Sequence, residues 1–359
     1  MLRIAIVGSP NAGKTTLFNA LTGLEAATAP HPFTTIEPNI GVAKVPDELL
    51  ERAAAIEGSK KVVHAALELL DMPSIGPSVR GGGPAAKMLG KLRELDALAV
   101  VLRAFQDEAV PTAESGTDPA AQAEEMLIEL TLADAELFSR RLERLAKEAS
   151  AELGKKREEE AIRKATTVLD EARPLRAAGW TDEERAFFRD LAPLTLKPAV
   201  WIINVGEDDE TGPSRAEDVS AVVPSGDLVL ILSASLEEEG SRLDPDERAE
   251  LFEGLGLGEG ALTRVVAASY QALDLVCFYT INPNEAHAWS VERGRTAREA
   301  AGKVHSDLER GFIRAEFIDI ATLVELGGWD AAKSGGQIRV EGRDYVVQDG
   351  EVMLVRFSV

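Results

Sequence analysis

Short apolar runs recur along the chain and are separated by stretches with helical spacing. Each run is too short for a helix and ends at turn or charged residues, so each predicts a buried strand. A helix-like stretch, Thr15–Leu21, follows the first run, and others lie between later runs. This alternation predicts an α/β fold with a mostly parallel, helix-covered sheet, in which ligands bind beyond the carboxyl ends of the strands. The runs are Ile4–Val7, Val62–Leu70, Ala97–Leu102, Ala199–Ile203 and Leu228–Leu232.

The stretch over 120–195 departs from this alternation. Apolar residues recur there at steps of three or four, while outward positions such as the run KKREEE at 155–160 are charged. This pattern predicts two antiparallel helices packed along one seam, a coiled-coil insertion. We expect a projecting helical arm; the alternative is a pair of helices that flank the sheet. The apolar positions are Ile128, Leu132, Ala135, Phe138, Leu142, Leu145, Ala149 and Leu153, then Ile162, Ala165, Leu169 and Ala172.

After about Leu273 the pattern changes to short β-like pieces around one helix. Gly-bounded, β-branched runs predict the strands, the Asp-Gly pair at 349–350 predicts a hairpin turn, and Arg298–Arg310 is the predicted helix. A small mixed sheet around one helix would result. The β-like runs are ATLVELGGW, GQIRVEG, RDYVVQDG and EVMLVRFSV.

The length of 359 residues exceeds what one hydrophobic core usually supports, so two or three domains are expected. The changes of pattern give their boundaries. We predict a sheet domain over 1–119 and 196–273, the helical insertion over 120–195, and a small β-rich domain over 274–359.

The net charge of −22 limits the partners of the protein. An acidic surface repels polyphosphate at long range, so neither DNA nor sequence-independent RNA binding is expected. Residues 275–359 are close to charge balance, with 10 basic and 13 acidic side chains, and are the part of the chain that would repel an RNA partner least. No apolar run approaches the ~18 residues of a membrane helix, and the single Cys277 excludes an internal disulfide and a thiolate zinc cluster. We therefore expect a cytoplasmic protein without a membrane partner.

The segment GSPNAGKTT, residues 8–16, has the spacing of a phosphate-binding loop, G-x-x-x-x-G-K-[ST]. A predicted strand precedes it and a predicted helix follows it, which is the context that the motif requires. Gly8 and Gly13 allow the backbone to curl so that successive amides point at one anion. Lys14 would reach the β and γ phosphates, and the Thr15 hydroxyl would bind magnesium at a helix N-terminus. The alternative is a glycine-rich turn with a surface lysine.

Two further segments fall where such a site needs a metal ligand. The second predicted strand ends in Asp71, which would lie beside the magnesium as an outer ligand. Between the first two strands is HPFTTIEPN at 31–39, where Thr35 would bind magnesium through its hydroxyl and the γ phosphate through its amide. Such a loop would order around a triphosphate. Alone, it is a Pro-rich loop with no assigned role.

The fourth predicted strand runs into Asn204-Val-Gly-Glu207, where a guanine-specific GTPase has N-K-x-D. Val205 replaces the lysine that covers the base, and Glu207 replaces the aspartate that accepts two hydrogen bonds from guanine. Asn204 can still serve a purine N7. Guanine recognition is therefore degraded, which favours adenine or a relaxed choice; the alternative is an ordinary acidic loop. Ser233 and Ala234, after the fifth strand, suit a backbone contact at the base.

Taken together, these motifs resemble those of the Obg-like ATPase family, also called YchF. GSPNAGKTTLFNALT resembles its phosphate loop, PFTTIEPNIGVAKVPD its first switch and LTLKPAVWIINVGED its base-recognition strand. RGFIRAEFIDI, EGRDYVVQDGEVMLVRFSV and the helical insertion also match, so the resemblance covers nearly the whole chain. It implies a P-loop NTPase core with a C-terminal TGS-like domain of β-grasp fold. It also implies slow ATP hydrolysis with GTP often accepted, a Mg²⁺ cofactor, and association with ribosomes or ribosomal RNA.

The resemblance also implies roles for individual residues. Lys14 and Thr35 would be catalytic, and magnesium would be held by Thr15, Thr35 and Asp71. The predicted nucleotide-binding residues are Asn11, Ala12, Gly13, Lys14, Thr15, Thr16, Asn204, Val205, Glu207, Ser233 and Ala234.

One segment departs from the family pattern. Where the family has D-[IV]-A-G-L and later G-E-G-L-G-N, this chain has DMPSI at 71–75 and then RGGGPAAKML. Ser74 replaces the glycine whose amide meets the γ phosphate, and Pro73 stiffens the turn before it. Ile75 stands where many GTPases have a water-orienting glutamine, and an apolar residue at this position agrees with the family. A smaller departure is His287 in place of an arginine, which we interpret as a surface or packing residue.

Three functions are compatible with these features. The first is a slow ATPase whose loops order around the triphosphate and relax on hydrolysis, favoured by Lys14, Thr15 and Asp71. The second is a nucleotide-sensing module with little hydrolysis, favoured by the DMPSI segment. The third, an RNA-binding protein with a vestigial loop, is disfavoured by the acidic surface and by the lack of a mixed basic and aromatic stretch.

Overall fold

The computed structural model describes residues 2–26, 38–74, 84–107, 111, 115–148, 153–207, 209, 211–254 and 260–358. The chain forms two compact units. Unit 1 comprises Met1–Ala43 and Glu68–Ala272, and unit 2 comprises Lys44–Leu67 and Leu273–Val359. None of the helices within the described ranges is both long enough and apolar enough to span a membrane.

Twelve strands and fourteen α-helices are found in the described ranges. The strands are β1 (Leu2–Gly8), β2 (Asn39–Lys44), β3 (Val62–Val63), β4 (Ala66–Asp71), β5 (Ala97–Arg103), β6 (Ala199–Asn204), β7 (Leu228–Leu232), β8 (Leu275–Ile281), β9 (Ala286–Glu292), β10 (Phe312–Asp319), β11 (Arg339–Glu341) and β12 (Glu351–Phe357). The helices are α1 (Lys14–Thr22), α2 (Glu48–Glu57), α3 (Pro84–Arg93), α4 (Pro119–Glu148), α5 (Leu153–Asp170), α6 (Asp182–Phe188), α7 (Gly212–Val222), α8 (Ala234–Ser241), α9 (Pro245–Gly254), α10 (Gly260–Ala272), α11 (Ala297–Val304), α12 (Ser306–Arg310), α13 (Ile320–Leu326) and α14 (Trp329–Ser334).

Unit 1 is built on a sheet of strand order β2-β4-β1-β5-β6-β7. The pairs β1–β5, β5–β6 and β6–β7 are parallel, with Val7 opposite Val100 and Val101 opposite Ile202. Every residue of β5 and β6 is buried, as expected for central parallel strands covered on both faces. The carboxyl ends of β1 and β6 therefore reach the same edge of the sheet.

Four of the five predicted strands are confirmed as single strands. The run Val62–Leu70 is instead broken at residues 64 and 65 into β3 and β4, which belong to different sheets. β3 pairs in parallel with β9 in unit 2. The sequence analysis also missed β2, the edge strand of unit 1, because its short segment NIGVAK lacks a continuous apolar run. The two units group residues 44–67 with the C-terminal segment and place the predicted insertion, residues 120–195, within unit 1. The division into three domains stays a prediction.

The helical insertion is confirmed. Helix α4 combines the two arrangements considered from the sequence, helices that flank the sheet and helices that pack on each other in an arm. Its first half buries Ala123, Met126 and Leu130 in the core of the sheet. Its second half buries Phe138 and other residues against α5, in a separate apolar core. The outer faces of the two helices are joined by an ion pair between Arg141 and Glu158. The members of the second core are Phe138, Leu145, Ala161, Ile162, Ala165, Leu169, Leu175, Trp180 and Phe188.

Unit 2 contains the predicted mixed sheet against one helix. Its strand order is β11-β10-β12-β8-β9-β3, with β12 and β8 parallel and β10 antiparallel to both of its neighbours. Helix α11 packs Ala297, Ala300 and Ala301 into the core formed with Phe278 and Phe317. The small alanine face allows the helix to lie close to the sheet.

Three details of the C-terminal prediction are wrong. ATLVELGGW forms α13, because Asp319 caps its N-terminus by accepting a hydrogen bond from the Thr322 amide at 2.9 Å. The helix predicted over 298–310 breaks at His305, whose backbone is extended, giving α11 and α12. The Asp-Gly pair at 349–350 makes a turn without a hairpin, since β12 pairs with β10 and β8.

A buried carboxyl in α8 is expected to make the free energy of unfolding depend on pH. Glu237 Oε1 accepts a hydrogen bond from the Ala261 amide at 2.6 Å, and burial raises the pKa of this carboxyl. The folded protein then keeps the proton to higher pH than the unfolded chain, so Glu237 lowers stability as pH rises through its folded-state pKa. We expect Glu237→Gln to gain stability relative to wild type as pH rises from about 4, measured by urea unfolding. The exposed neighbour Glu239 provides the control, and a constant difference for Glu237→Gln would contradict this interpretation.

Candidate functional site

Two glycines set the path of the backbone between β1 and α1. Gly8 has φ +154°, and a Cβ atom there would lie 2.3 Å from the carbonyl oxygen of Val101. Gly13 has φ +92° and precedes α1; a Cβ atom there would lie 2.2 Å from Asn204 Nδ2. Asn11, between them, also has a positive φ of 58°. The loop therefore curls tightly in front of the helix N-terminus, where the first backbone amides have no partner within the helix.

Lys14 is a largely buried cation at the start of α1. Its side chain is 8% exposed, and its Nζ donates hydrogen bonds of 2.8 Å to the Ser9 carbonyl oxygen and to Ser74 Oγ. Burial lowers the pKa of Lys14 to about 8, while the nearby charge of Asp71 acts in the opposite direction. Within the described ranges, Lys14 forms no ion pair within 4 Å. Its positive charge is held by neutral oxygens and is available to an anion.

Thr15 and Asp71 meet beside this lysine. Thr15 Oγ1 donates a hydrogen bond of 2.8 Å to Asp71 Oδ2, which also accepts one of 3.3 Å from Asn39 Nδ2. Asp71 is the last residue of β4 and is 8% exposed. A hydroxyl and a carboxylate are the hard oxygen donors that Mg²⁺ prefers. Among the described residues, no group of three or more His, Cys, Asp or Glu side chains is arranged to hold a metal ion.

Asn204 links the loop to the edge of the sheet where β6 and β7 end. Its Nδ2 donates a 3.0 Å hydrogen bond to the Ala12 carbonyl oxygen, and its Oδ1 accepts one of 2.9 Å from the Ala234 amide. The side chain is 4% exposed. Sequence reasoning assigned Asn204 only to a base contact and missed this structural role. An amide nitrogen carries two hydrogens, and the bond to Ala12 uses one of them.

The other residues of the predicted base site differ in exposure. Val205 is buried and its amide donates to the Leu232 carbonyl oxygen at 2.9 Å, whereas Glu207 is exposed. Ser233 is buried, with its Oγ 3.0 Å from Ser235 Oγ. A buried apolar side chain therefore stands where the typical motif has a lysine, and an exposed carboxylate follows two residues later.

Phe105 is a neighbour of this region that sequence reasoning missed. A Cβ atom built on Gly13 or on Gly206 would lie 3.9 Å from the Phe105 side chain. The Arg103 guanidinium lies 4.5 Å from the centre of its ring. The segment FQD, residues 105–107 after β5, has no motif in the sequence, and only the fold places its aromatic ring beside Gly13 and the base motif.

Five positions that the sequence singled out remain to be placed. Thr16 is half-buried in the first turn of α1, and Asn11 Nδ2 donates to the Pro111 carbonyl oxygen at 3.1 Å. Thr35 lies outside the described residues, as does Ile75. His287, in unit 2, stacks on Trp289 with ring centres 3.7 Å apart and is a packing residue, as interpreted from the sequence.

Comparison with known proteins supports the same architecture. The family model described as 50S ribosome-binding GTPase matches residues 3–136, and the model YchF-GTPase_C, described as a protein of unknown function (DUF933), matches residues 275–358. The chain is 37% identical to the ribosome-binding ATPase YchF of Bacillus subtilis over the whole of both chains. It is 32% identical to Obg-like ATPase 1 of Pongo abelii, covering 99% of this chain and 92% of that one.

A solved structure matches the whole fold. The YchF GTPase of Schizosaccharomyces pombe superposes with a TM-score of 0.82 at 27% identity, covering 99% of this chain and 97% of that one. The predicted P-loop fold, helical insertion and separate C-terminal domain are thereby confirmed. The chain belongs to the YchF family of P-loop proteins.

Proposed function

We propose that the protein binds a purine nucleoside triphosphate with Mg²⁺, hydrolyses ATP slowly, and uses the cycle as a conformational switch. GTP would be an accepted second nucleotide. The observation that carries this proposal is that Lys14, Thr15 and Asp71 lie together at the curled loop. Lys14 donates hydrogen bonds to two neutral oxygens, and Thr15 donates one to Asp71, each at 2.8 Å. A buried ammonium at a helix N-terminus suits the β and γ phosphates of such a ligand.

Each residue has a distinct task in this proposal. Lys14 and the amides of Asn11 to Thr16 would hold the phosphates and keep the γ phosphate in line for attack by water. Thr15, Thr35 and Asp71 would hold the magnesium ion, which when bound neutralises charge that develops on the phosphates. Position 75 is isoleucine rather than a glutamine that orients water, so slow intrinsic turnover is expected.

The proposed partner is the ribosome, in the cytoplasm. The relatives from Bacillus subtilis and Escherichia coli O157:H7 carry the name ribosome-binding ATPase, and the latter is 38% identical with 99% of both chains covered. Unit 2, with 14 basic and 18 acidic side chains, carries only a small part of the net charge of −22, so repulsion of RNA is weakest there. We propose that ribosome contact involves unit 2, with the helical arm as the second element that responds to nucleotide.

A nucleotide-sensing module with little hydrolysis is the second candidate. It is favoured by the segment DMPSI, in which Pro73 restricts the backbone that would have to move toward the γ phosphate. Such a module would signal through the same arm and C-terminal domain.

A single-turnover assay with Mg-ATP distinguishes the two candidates. We expect slow release of phosphate by the protein alone and faster release with ribosomes. Binding of ATP without any hydrolysis, alone or with ribosomes, would support the sensing module. Absence of ATP and GTP binding at millimolar concentration would contradict both.

The base preference follows from Asn204 to Glu207. We expect wild type to bind Mg-ATP more tightly than Mg-GTP, because a lysine and an aspartate are both missing from the guanine-reading motif. The double variant Val205→Lys with Glu207→Asp should shift the ratio of affinities toward GTP by about tenfold or more, the worth of one good hydrogen-bonded contact. Titration calorimetry measures both constants. An unchanged ratio in a folded double variant would show that this segment does not select the base.

A further inference from the structure

The hydroxyl of Ser74 lies at the phosphate end of the site. β4 ends at Asp71, the Met72 amide still donates to the Ile6 carbonyl oxygen at 3.1 Å, and the chain then reaches Ser74 beside Lys14. Ser74 Oγ is 2.8 Å from Lys14 Nζ. An ammonium is only a donor, so in this bond the serine oxygen is the acceptor.

Two hydrogens take no part in these bonds: the third hydrogen of Lys14 Nζ and the hydroxyl hydrogen of Ser74. Lys14 Nζ has three hydrogens, of which one goes to the Ser9 carbonyl oxygen and one to Ser74 Oγ. The third is available to a phosphate. Because Ser74 accepts from the lysine, its own hydroxyl hydrogen points away from Nζ and can be donated to a second oxygen of the same phosphate group. The γ phosphate has three terminal oxygens and can accept both bonds.

We propose that Ser74 is a specificity-determining residue that recognises the γ phosphate through its hydroxyl. Lys14 polarises the hydroxyl, and the hydroxyl donates to a γ-phosphate oxygen, so the protein distinguishes triphosphate from diphosphate by a side-chain bond. This inference rests on the proposed nucleotide site. It explains how a chain with serine, instead of glycine, at position 74 keeps a contact to the γ phosphate when Pro73 stiffens the backbone before it.

The competing explanation is that Ser74 only holds Lys14 in the nucleotide-free protein. The two explanations differ in the predicted effect on affinity. A bond that exists only in the free protein competes with every nucleotide, so its removal tightens ATP and ADP equally. A bond to the γ phosphate exists only with the triphosphate, so its removal weakens the triphosphate alone.

The test is titration calorimetry with Mg²⁺ and either adenylyl imidodiphosphate or ADP. For Ser74→Ala we expect about tenfold weaker binding of the triphosphate analogue, the worth of one hydrogen bond, and ADP binding within twofold of wild type. Ser74→Thr, which keeps a hydroxyl, should retain the preference for triphosphate. Ser220→Ala removes an exposed serine hydroxyl on α7 and serves as the matched control.

Retained ADP binding shows that each variant is folded and has an intact site. Equal weakening or equal tightening of both ligands by Ser74→Ala would overturn the inference, as would a Ser74→Thr variant that behaves like Ser74→Ala. If wild type binds neither ligand, the proposed function itself fails, and that outcome is seen before any variant is measured.

Discussion

Replacement of Lys14 by alanine is expected to weaken ATP binding by at least about 100-fold and to abolish measurable hydrolysis. Lys14 is 8% exposed, and its two hydrogen bonds within the described ranges go to neutral oxygens, so its charge is available to the phosphates. One charge-assisted hydrogen bond of about 1.5–3 kcal/mol, together with the Coulomb attraction between the ammonium and the phosphates, corresponds to roughly this loss. Calorimetry with Mg-ATP and a single-turnover assay measure the two effects.

The variant should remain folded, because it removes a buried charge whose pKa burial has lowered. Lys156→Ala, which removes an exposed lysine on α5, is the matched control and should bind ATP like wild type. Binding by Lys14→Ala within threefold of wild type would contradict the assignment of the loop as the phosphate site.

The second large effect is expected for Asn204→Ala, in both stability and nucleotide affinity. The variant leaves the buried Ala12 carbonyl oxygen and the Ala234 amide without the partners they have in wild type. Each unsatisfied group costs about 1–3 kcal/mol, so the free energy of unfolding should fall by roughly 2–4 kcal/mol. Urea unfolding of the nucleotide-free protein measures this loss.

ATP affinity should fall together with stability, because Asn204 fixes the Ala12 carbonyl oxygen and with it the curl of the loop. Asn284→Ala, at an exposed asparagine, is the control and should change neither quantity. A variant that loses affinity without losing stability would assign Asn204 to base recognition alone, as the sequence first indicated.

The parts of the fold that were predictable are those with local signals. The strands β1, β5, β6 and β7 contain continuous apolar runs, and the loop between β1 and α1 has a fixed spacing of glycine and lysine. The arm was predictable because its apolar positions follow helical spacing over many turns. In each case the residues that form the pattern are near one another in the sequence, and the pattern itself is what the element needs in order to form.

The parts that were missed depend on contacts between distant residues. Nothing local to Val62–Leu70 indicates that its first two residues pair with β9, more than 200 positions away. Phe105 has no recognisable motif, and its position beside Gly13 results from the order of the strands. The hydrogen bond from Asn204 to the Ala12 carbonyl oxygen joins residues 192 positions apart, and only the folded sheet brings them together. Such features follow from topology rather than from spacing.

Helix α4 has a mechanical consequence. It is one continuous helix of 30 residues, rooted against the sheet at Ala123 and Leu130 and packed with α5 beyond Phe138. At 1.5 Å per residue, about 38 Å separate Ala123 from the end of the helix, so a rotation of about 5° at Ala123 would displace the far end by roughly 3 Å. A small rotation of α4 where it packs on the sheet would therefore move the far end of the helix by several times more than the residues near the sheet.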